Sequence, residues 1–390
     1  MSAPSIEFSI FLIFTGAAIF ATVALYARQA MIVAYIILGL LLGPWGLGLI
    51  TDAELISDIS NIGIIFLLYL LGLDLLPQQL WQMLREALEV TLISSTVFCI
   101  IGFIIGFAFG FDILQALLIG AVMMFSSTII GLKLLPTTTL HHKRTGQIII
   151  SILLIQDLIA IVILLLLQGY GKGGGNLIID IVQQLVYLPL LVGVVYLIEK
   201  FVLIRLIQRF DQIHEYIFLL AIAWCQGIAE LAHYVGLSHE IGAFIAGVTL
   251  ASSPIALFIT ERLKPLRDFF LIIFFFSLGA GFNMSVINEI FVPAMILALA
   301  VLIIKPVTIS WLLQMEGVKK SVSYETGFRL GQISEFSLLI AVLAVKSNFI
   351  TDNISYLIQL ATLITFIISS YIIVLKYPTP ISVSDRLRRD

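Results

Sequence analysis

The chain has 390 residues, of which 60 % are hydrophobic and 12 % charged, with a formal net charge of −3 and a mean hydropathy of +1.12. A soluble domain carries roughly a quarter charged residues, so this composition excludes a soluble enzyme, a nucleic-acid-binding protein and a disordered chain. What remains is an all-α polytopic membrane protein, in which the position of each Lys and Arg matters more than the net sum.

A helix crossing the hydrocarbon core needs about 20 apolar residues. Cut at its polar and glycine-rich breaks, the sequence predicts thirteen such spans, at 6–27, 31–49, 56–75, 89–110, 113–135, 147–170, 176–200, 215–234, 238–257, 266–284, 290–314, 321–346 and 353–376. The first is too long for a signal-peptide core and lacks a basic leader, so it reads as a retained span. Residues 377–390 form a short basic tail, and no soluble domain is left over.

The loops set the orientation, because Lys and Arg are retained on the cytoplasmic side. One side collects sixteen basic residues: Arg28, Arg85, Lys143, Arg144, Lys200, Arg205, Arg209, Arg262, Lys264, Arg267, Lys319, Lys320, Lys376, Arg386, Arg388 and Arg389. The other side has Lys172 and Lys346, while Lys133, Lys305 and Arg329 fall inside spans. An odd number of spans with this bias places the N-terminus outside and the C-terminus in the cytoplasm, in a plasma or bacterial inner membrane.

Cys99 and Cys225 both sit in apolar runs, which offers neither a disulfide framework nor a metal cluster. Ionisable residues held inside the membrane are costly and are therefore the candidates for function. Asp157, in the middle of the sixth span, is about 15 Å from either surface at 1.5 Å per residue and cannot snorkel out. Such a carboxylate is suited to hold a proton and a cation alternately, and otherwise would serve as polar glue between helices. Gln156 beside it offers a neutral carbonyl oxygen as a ligand without a second negative charge. Lys305, in the eleventh span next to Pro306, is a counter-charge for Asp157 or for the ends of broken helices. Arg329 and Glu335 stand six apart in the twelfth span, so an ion pair between them would require a break in the helix or different partners.

Two polar clusters interrupt the apolar pattern at membrane depth: Phe125-Ser126-Ser127-Thr128 in the fifth span and Gly331-Gln332-Ile333-Ser334-Glu335-Phe336 in the twelfth. Unwound backbone is tolerated there where it lines a cavity or is buried in protein. Interruptions paired between two halves point to the ion site of an inverted-repeat transporter, with spans four to six matched to spans eleven to thirteen. Ser126, Ser127 and Thr128 then join Asp157 and Gln156 as the predicted site for a monovalent cation and a proton.

These residues carry a resemblance. Gly43-Pro44-Trp45-Gly46-Leu47-Gly48 followed by Thr51-Asp52-Ala53-Glu54, Leu71-Gly72-Leu73-Asp74 leading to Gln79-Leu80-Trp81, and Ser126-Ser127-Thr128 resemble the Kef-type branch of the monovalent cation:proton antiporter-2 family. So do Gln156-Asp157, Gly242-Ala243-Phe244-Ile245-Ala246-Gly247, Lys305 and Gly331-Gln332-Ile333-Ser334-Glu335-Phe336, in the right order over nearly the whole chain to about residue 376.

The resemblance implies the sodium/proton antiporter fold, with inverted repeats and two crossed, broken helices. A translocating core, at about 89–170 and 290–376, would move against a dimerisation part at about 1–88 and 200–284 of a homodimer in the lipid bilayer. It also implies that Asp157 is the shared carboxylate, with Lys305 and Glu335, and Arg329 beside them, settling charge at the broken-helix ends. A Gln-Asp pair resembles the potassium-linked branch. Kef-type proteins continue into a cytosolic nucleotide-binding regulatory domain, which this chain is expected to lack. His239-Glu240 matches no pattern in the resemblance and reads as local variation rather than a further titrating site.

The expectation is a K+/H+ antiporter that uses no cofactor and carries K+ or Na+ and H+ as transported ions. Na+/H+ exchange on the same fold is the first alternative, since one carboxylate and a few neutral oxygens do not read ionic radius. A sodium-coupled organic-anion symporter is a second, with Arg329 as its one candidate anion ligand, and a non-transporting membrane sensor is a third.

Overall fold

The computed structural model describes residues 6–50, 53–74, 77–135, 144–171, 177–210, 212–251, 253 and 255–379. Several positions used above lie outside the described residues: Thr51, Asp52, Lys143, Lys172 and the tail with Arg386, Arg388 and Arg389. The side chains of Asp74, Gln79, Trp81, Arg85 and Lys133 lie outside them too.

The regular elements are helical: α1 (Ile6–Tyr26), α2 (Met31–Leu42), α3 (Ala53–Asp74), α4 (Pro77–Ala108), α5 (Ile113–Met123), α6 (Thr128–Lys133), α7 (Arg144–Gly171), α8 (Leu177–Ile198), α9 (Ile204–Arg209), α10 (His214–Val235), α11 (His239–Ala251), α12 (Ala256–Gly281), α13 (Ile287–Met315), α14 (Lys320–Arg329), α15 (Glu335–Lys346) and α16 (Asp352–Lys376). A π-helical turn, Glu199–Leu203, joins α8 to α9, and a 3₁₀ turn, Met284–Val286, precedes α13. Stretches of α1, α4, α7, α10, α13 and α16 are long and apolar enough to cross a membrane, and α2, α5 and α11 are shorter apolar helices. Each of the thirteen predicted spans overlaps one or two of these helices.

Three boundaries differ most from the sequence reading. The second helix stops at Leu42, because Gly43 and Pro44 enter a turn closed by Leu47 N–H to Leu41 O and Gly48 N–H to Gly43 O, with Gly48 at φ 63°. That left-handed backbone suits glycine. The fourth helix begins at Pro77, well before the apolar run, since proline is accommodated in a first helical turn. The tenth span starts at Ala256 and runs through Pro265.

The chain divides into two compact units. One comprises residues 1–17, 35–80 and 168–281, and the other 18–34, 81–167 and 282–390. In the first, α3 packs against both α11 and α12, and α11 also packs against α10. The α3–α11 crossing is built on glycine: a Cβ added to Gly247 would collide with the backbone oxygen of Tyr69, and one added to Gly72 with the oxygen of Phe244. Small residues let membrane helices approach this closely, where van der Waals packing rather than hydrophobicity holds them together. Replacing Gly247 by Ala is therefore expected to force the helices apart and cost about 1–3 kcal/mol. A thermal-inactivation midpoint equal to that of the parent protein would contradict this.

In the second unit α13 packs against α14 and α16, α15 against α16, and α5 against α15 and α16. Cys99 and Cys225 are free thiols. His239 bonds Glu230 through Nε2 at 3.1 Å and stacks on His233 with ring centroids 4.3 Å apart.

Candidate functional site

The second unit contains both polar interruptions, and each is a true helix break. α5 ends at Met123, residues 125–127 are unwound, and α6 starts at Thr128; α14 ends at Arg329, residues 330–334 are unwound, and α15 starts at Glu335. The new N-termini are capped from the sequence. The Ser127 hydroxyl accepts the Ile130 N–H at 3.1 Å, and the Ser334 hydroxyl accepts the Phe336 N–H at 3.1 Å. Serine suits both places because its oxygen satisfies a donor that the first helical turn leaves free. Glu335 opens α15, where the helix dipole favours an acid.

The two breaks meet, and their carbonyls are paired across the crossing. Ser126 Oγ donates to Leu330 O at 2.9 Å. Lys305, fully buried on α13, reaches both: its Nζ donates to Phe125 O in the first break and to Gln332 O at 3.0 Å in the second, with a longer contact of 3.3 Å to Ser126 Oγ. The ammonium also lies 5.4 Å from the Phe98 ring centroid. A positive charge at the free carbonyls of two helix ends is where the helix dipoles favour it. Of the two roles foreseen for Lys305, this geometry serves the broken-helix ends. No ion pair joins Lys305 to Asp157 among the described residues.

Gln332, fully buried, adds a second tie. Its Nε2 donates to Arg329 O at 2.9 Å and, at 3.4 Å, to Ser127 O, while its Oε1 accepts from Ser369 on α16 at 3.0 Å. Thr365 on α16 accepts the Ile333 N–H at 3.2 Å, and Ser337 donates to Val122 O at 2.6 Å. Gln332, Ser337, Thr365 and Ser369 were not foreseen as site residues. The signal for α16 was present in the spacing of Thr362, Thr365 and Ser369, which puts three hydroxyls on one side of an otherwise apolar helix.

Asp157 on α7 is 4 % exposed, and no hydrogen bond or ion pair to its carboxylate is made by the described residues. Gln156 is 1 % exposed and turns its Oε1 to the Ser126 backbone N–H at 2.9 Å, tying α7 to the first break. Its Nε2, and the Thr128 Oγ1 at the start of α6, are buried and lack a hydrogen-bond partner among the described residues. Buried polar atoms are normally paired, so each of these two atoms, one next in sequence to Asp157 and one at the first break, has room for a polar partner. Glu335, 5 % exposed, lies within electrostatic range of Asp157.

Arg329 has other work. Its guanidinium bonds Glu325 at 2.9–3.0 Å, Leu134 O at 2.9 Å and Pro378 O at 2.7 Å, and it is fully buried. It therefore partners Glu325 on its own helix and not Glu335 beyond the break. With its donors engaged it presents no open fork to an anion, which removes the one residue on which organic-anion symport rested.

Two unwound crossings at membrane depth, tied by a buried lysine and flanked by a buried carboxylate, define the class: a polytopic transporter built on crossed, broken helices. A family model described as "Sodium/hydrogen exchanger, transmembrane" matches residues 10–375. The chain belongs to that family and carries its transmembrane domain, as the resemblance implied. The K(+) efflux antiporter 4 of Arabidopsis thaliana is 26 % identical over 342 residues, which cover 86 % of this chain and 58 % of that protein. The chain thus spans less than two thirds of the length of that relative. The solved structure of the sodium proton antiporter MjNhaP1 from Methanocaldococcus jannaschii at pH 8 superposes with a TM-score of 0.67 at 18 % identity, covering 93 % of this chain and 97 % of that one. An electron-microscopy map of the same antiporter matches at 0.66 and 16 % identity, covering 95 % and 96 %. These likenesses bear out the sodium/proton antiporter fold.

Proposed function

We propose that the protein exchanges K+ for H+ one for one, with Asp157 as the group that carries either ion. The observation that carries this reading is the Asp157 carboxylate itself, buried at membrane depth and left without a hydrogen bond by the described residues. An ionised carboxylate in that state calls for a cation, and a protonated one needs none. The Thr128 hydroxyl, buried and unpaired at the start of α6, is the neutral oxygen offered to the cation, while Gln156, Ser126 and Ser127 hold the first break in shape. Lys305 and Gln332 clamp the two breaks together, Glu335 sets the charge at the start of α15, and Arg329 fixes the end of α14.

Alternating access follows if the unit holding the breaks moves as a body relative to the other unit, which would supply the dimer contact. In this reading the protein needs no cofactor, works in a plasma or bacterial inner membrane as a homodimer, and keeps its N-terminus outside and C-terminus in the cytoplasm. The name of the 26 % identical relative, a K(+) efflux antiporter, favours potassium over sodium. Proton flux in liposomes under separate K+, Na+ and Li+ gradients is the test: flux driven by K+ and weakly by Na+ is expected, and the reverse order would assign Na+/H+ exchange.

One proton against one monovalent cation moves no net charge per cycle. An imposed membrane potential is therefore expected to leave the exchange rate unchanged. A steady, potential-dependent current on a solid-supported membrane would show that a second acid, for which Glu335 is placed, also titrates in the cycle.

A further inference from the structure

The stretch from α8 through the π turn to α9 carries a pattern that ion exchange does not use. Every fourth residue is buried: Leu191, Val195, Glu199, Leu203 and Ile207. In a straight α-helix a strict four-residue repeat drifts about 40° per step and would wind off its packing face. The wider π turn at Glu199–Leu203 takes up that drift and holds the seam against its own unit.

The opposite face is therefore fixed as well. It exposes Tyr196, Lys200, Phe201, Arg205 and Arg209. Lys200 Nζ lies 5.9 Å from the Tyr196 ring centroid and 6.0 Å from that of Phe201, and Arg205 Cζ lies 5.7 Å from Phe201. The three cations have no acidic partner among the described residues. Glu199, the carboxylate within this stretch, is 3 % exposed and turned into the seam. Elsewhere in the same unit Lys264 pairs with Glu261 and Arg267 with Asp268, while Arg262 lies over the Phe258 ring.

We propose that this face binds the phosphate headgroup of an anionic phospholipid at the membrane surface where α9 ends. Three features specify that ligand. The face continues a helix whose outward side is apolar, with Leu190, Val194 and Leu197 exposed. Its aromatic rings sit next to the charges, as side chains do at the boundary between hydrocarbon and headgroup. Its Arg guanidinium forks match phosphate oxygens two at a time, with Lys200 as an added point charge.

The test is a titration of phosphatidylglycerol into the purified full chain in neutral detergent, followed by native mass spectrometry. Wild type is expected to retain the lipid. The doubly substituted Arg205→Gln/Arg209→Gln protein is expected to bind about 25-fold more weakly, about fivefold for each cation lost near the surface, and Arg209→Gln alone about fivefold. Lys264→Gln/Arg267→Gln should change binding less than about twofold, since those charges are already paired. Equal losses in the two double variants would show general attraction only and overturn the site, as would unchanged binding in Arg209→Gln. Displacement of the lipid by inorganic phosphate at a similar concentration would also overturn it, by showing a free-anion site. Arg205 and Arg209 are exposed and Lys264 and Arg267 half-buried, and circular dichroism verifies that each variant is folded.

Discussion

Asp157→Asn is expected to abolish cation:proton exchange, lowering the rate at least about 100-fold, while the protein stays folded and melts at the same temperature or higher. A neutral amide has nearly the shape of the carboxylate but can neither release a proton at ordinary pH nor hold a cation as an ion pair. The loss of one proton-transferring group commonly costs two to four orders of magnitude in rate. Stability should not suffer, because the described residues make no hydrogen bond to Asp157 that the substitution would break, and an uncompensated buried charge is itself unfavourable. The direction of the wild-type pH dependence follows from the same site. Proton and cation compete for one carboxylate, so the apparent KM for the cation should rise as the pH falls, and excess cation should extend activity toward acid pH. Exchange by a folded Asp157→Asn protein at a sizeable fraction of the wild-type rate would remove Asp157 from the centre of the mechanism.

Lys305→Met is expected to be the most destabilising single change in the second unit. It leaves Phe125 O and Gln332 O, two buried carbonyls at helix breaks, without their charged donor. Hydrogen bonds to charged groups contribute about 1.5–3 kcal/mol each, and a buried acceptor left unpaired costs a comparable amount. A total of about 3–5 kcal/mol is the scale seen when one partner of a buried charged network is removed. Thermal inactivation in detergent should move down by about 10 °C, taking a few degrees for each kcal/mol. Lys305→Gln keeps a donor and should lose roughly half as much.

The pH profile of Lys305→Gln separates the two roles foreseen for this residue. As the tie between the breaks, Lys305 can be replaced with lowered stability and an unmoved pH optimum. As the counter-charge of Asp157, its removal would raise the pKa of the carboxylate and shift the optimum alkaline. The bonds to Phe125 O and Gln332 O, with no ion pair to Asp157 among the described residues, lead us to expect the first result. An alkaline shift with unchanged thermal stability would reverse that assignment.

Much of this protein was determined by its sequence alone. Membrane character, the course of the spans and the two interruptions follow from local composition, because hydrocarbon imposes the same demand on every span: apolar side chains outside and a satisfied backbone inside. A polar Phe-Ser-Ser-Thr or Gly-Gln-Ile-Ser-Glu cluster in such a background stands out without any knowledge of neighbours. Asp157 and Lys305 were legible for the same reason, since a charge at membrane depth is costly wherever it packs. The antiporter family was legible from short motifs in a fixed order.

Partnership was not legible, and only the tertiary structure decided it. Lys305 is 180 residues from the Phe125 carbonyl it holds and 27 from that of Gln332, and nothing in the sequence ranks those acceptors against Asp157. Gln156, read as a ligand oxygen, turns that oxygen to the Ser126 N–H, a choice made by where α7 crosses the first break. Arg329 meets Glu325 by ordinary i,i+4 spacing on its own helix, but Leu134 and Pro378 reach it only through the fold, and Gln332 becomes a hub because α16 presents Ser369 to it. Unwound carbonyls accept from whichever donor the fold brings within about 3 Å. The sequence thus names the groups that must find a partner, and the crossing of the helices determines which partner each one finds.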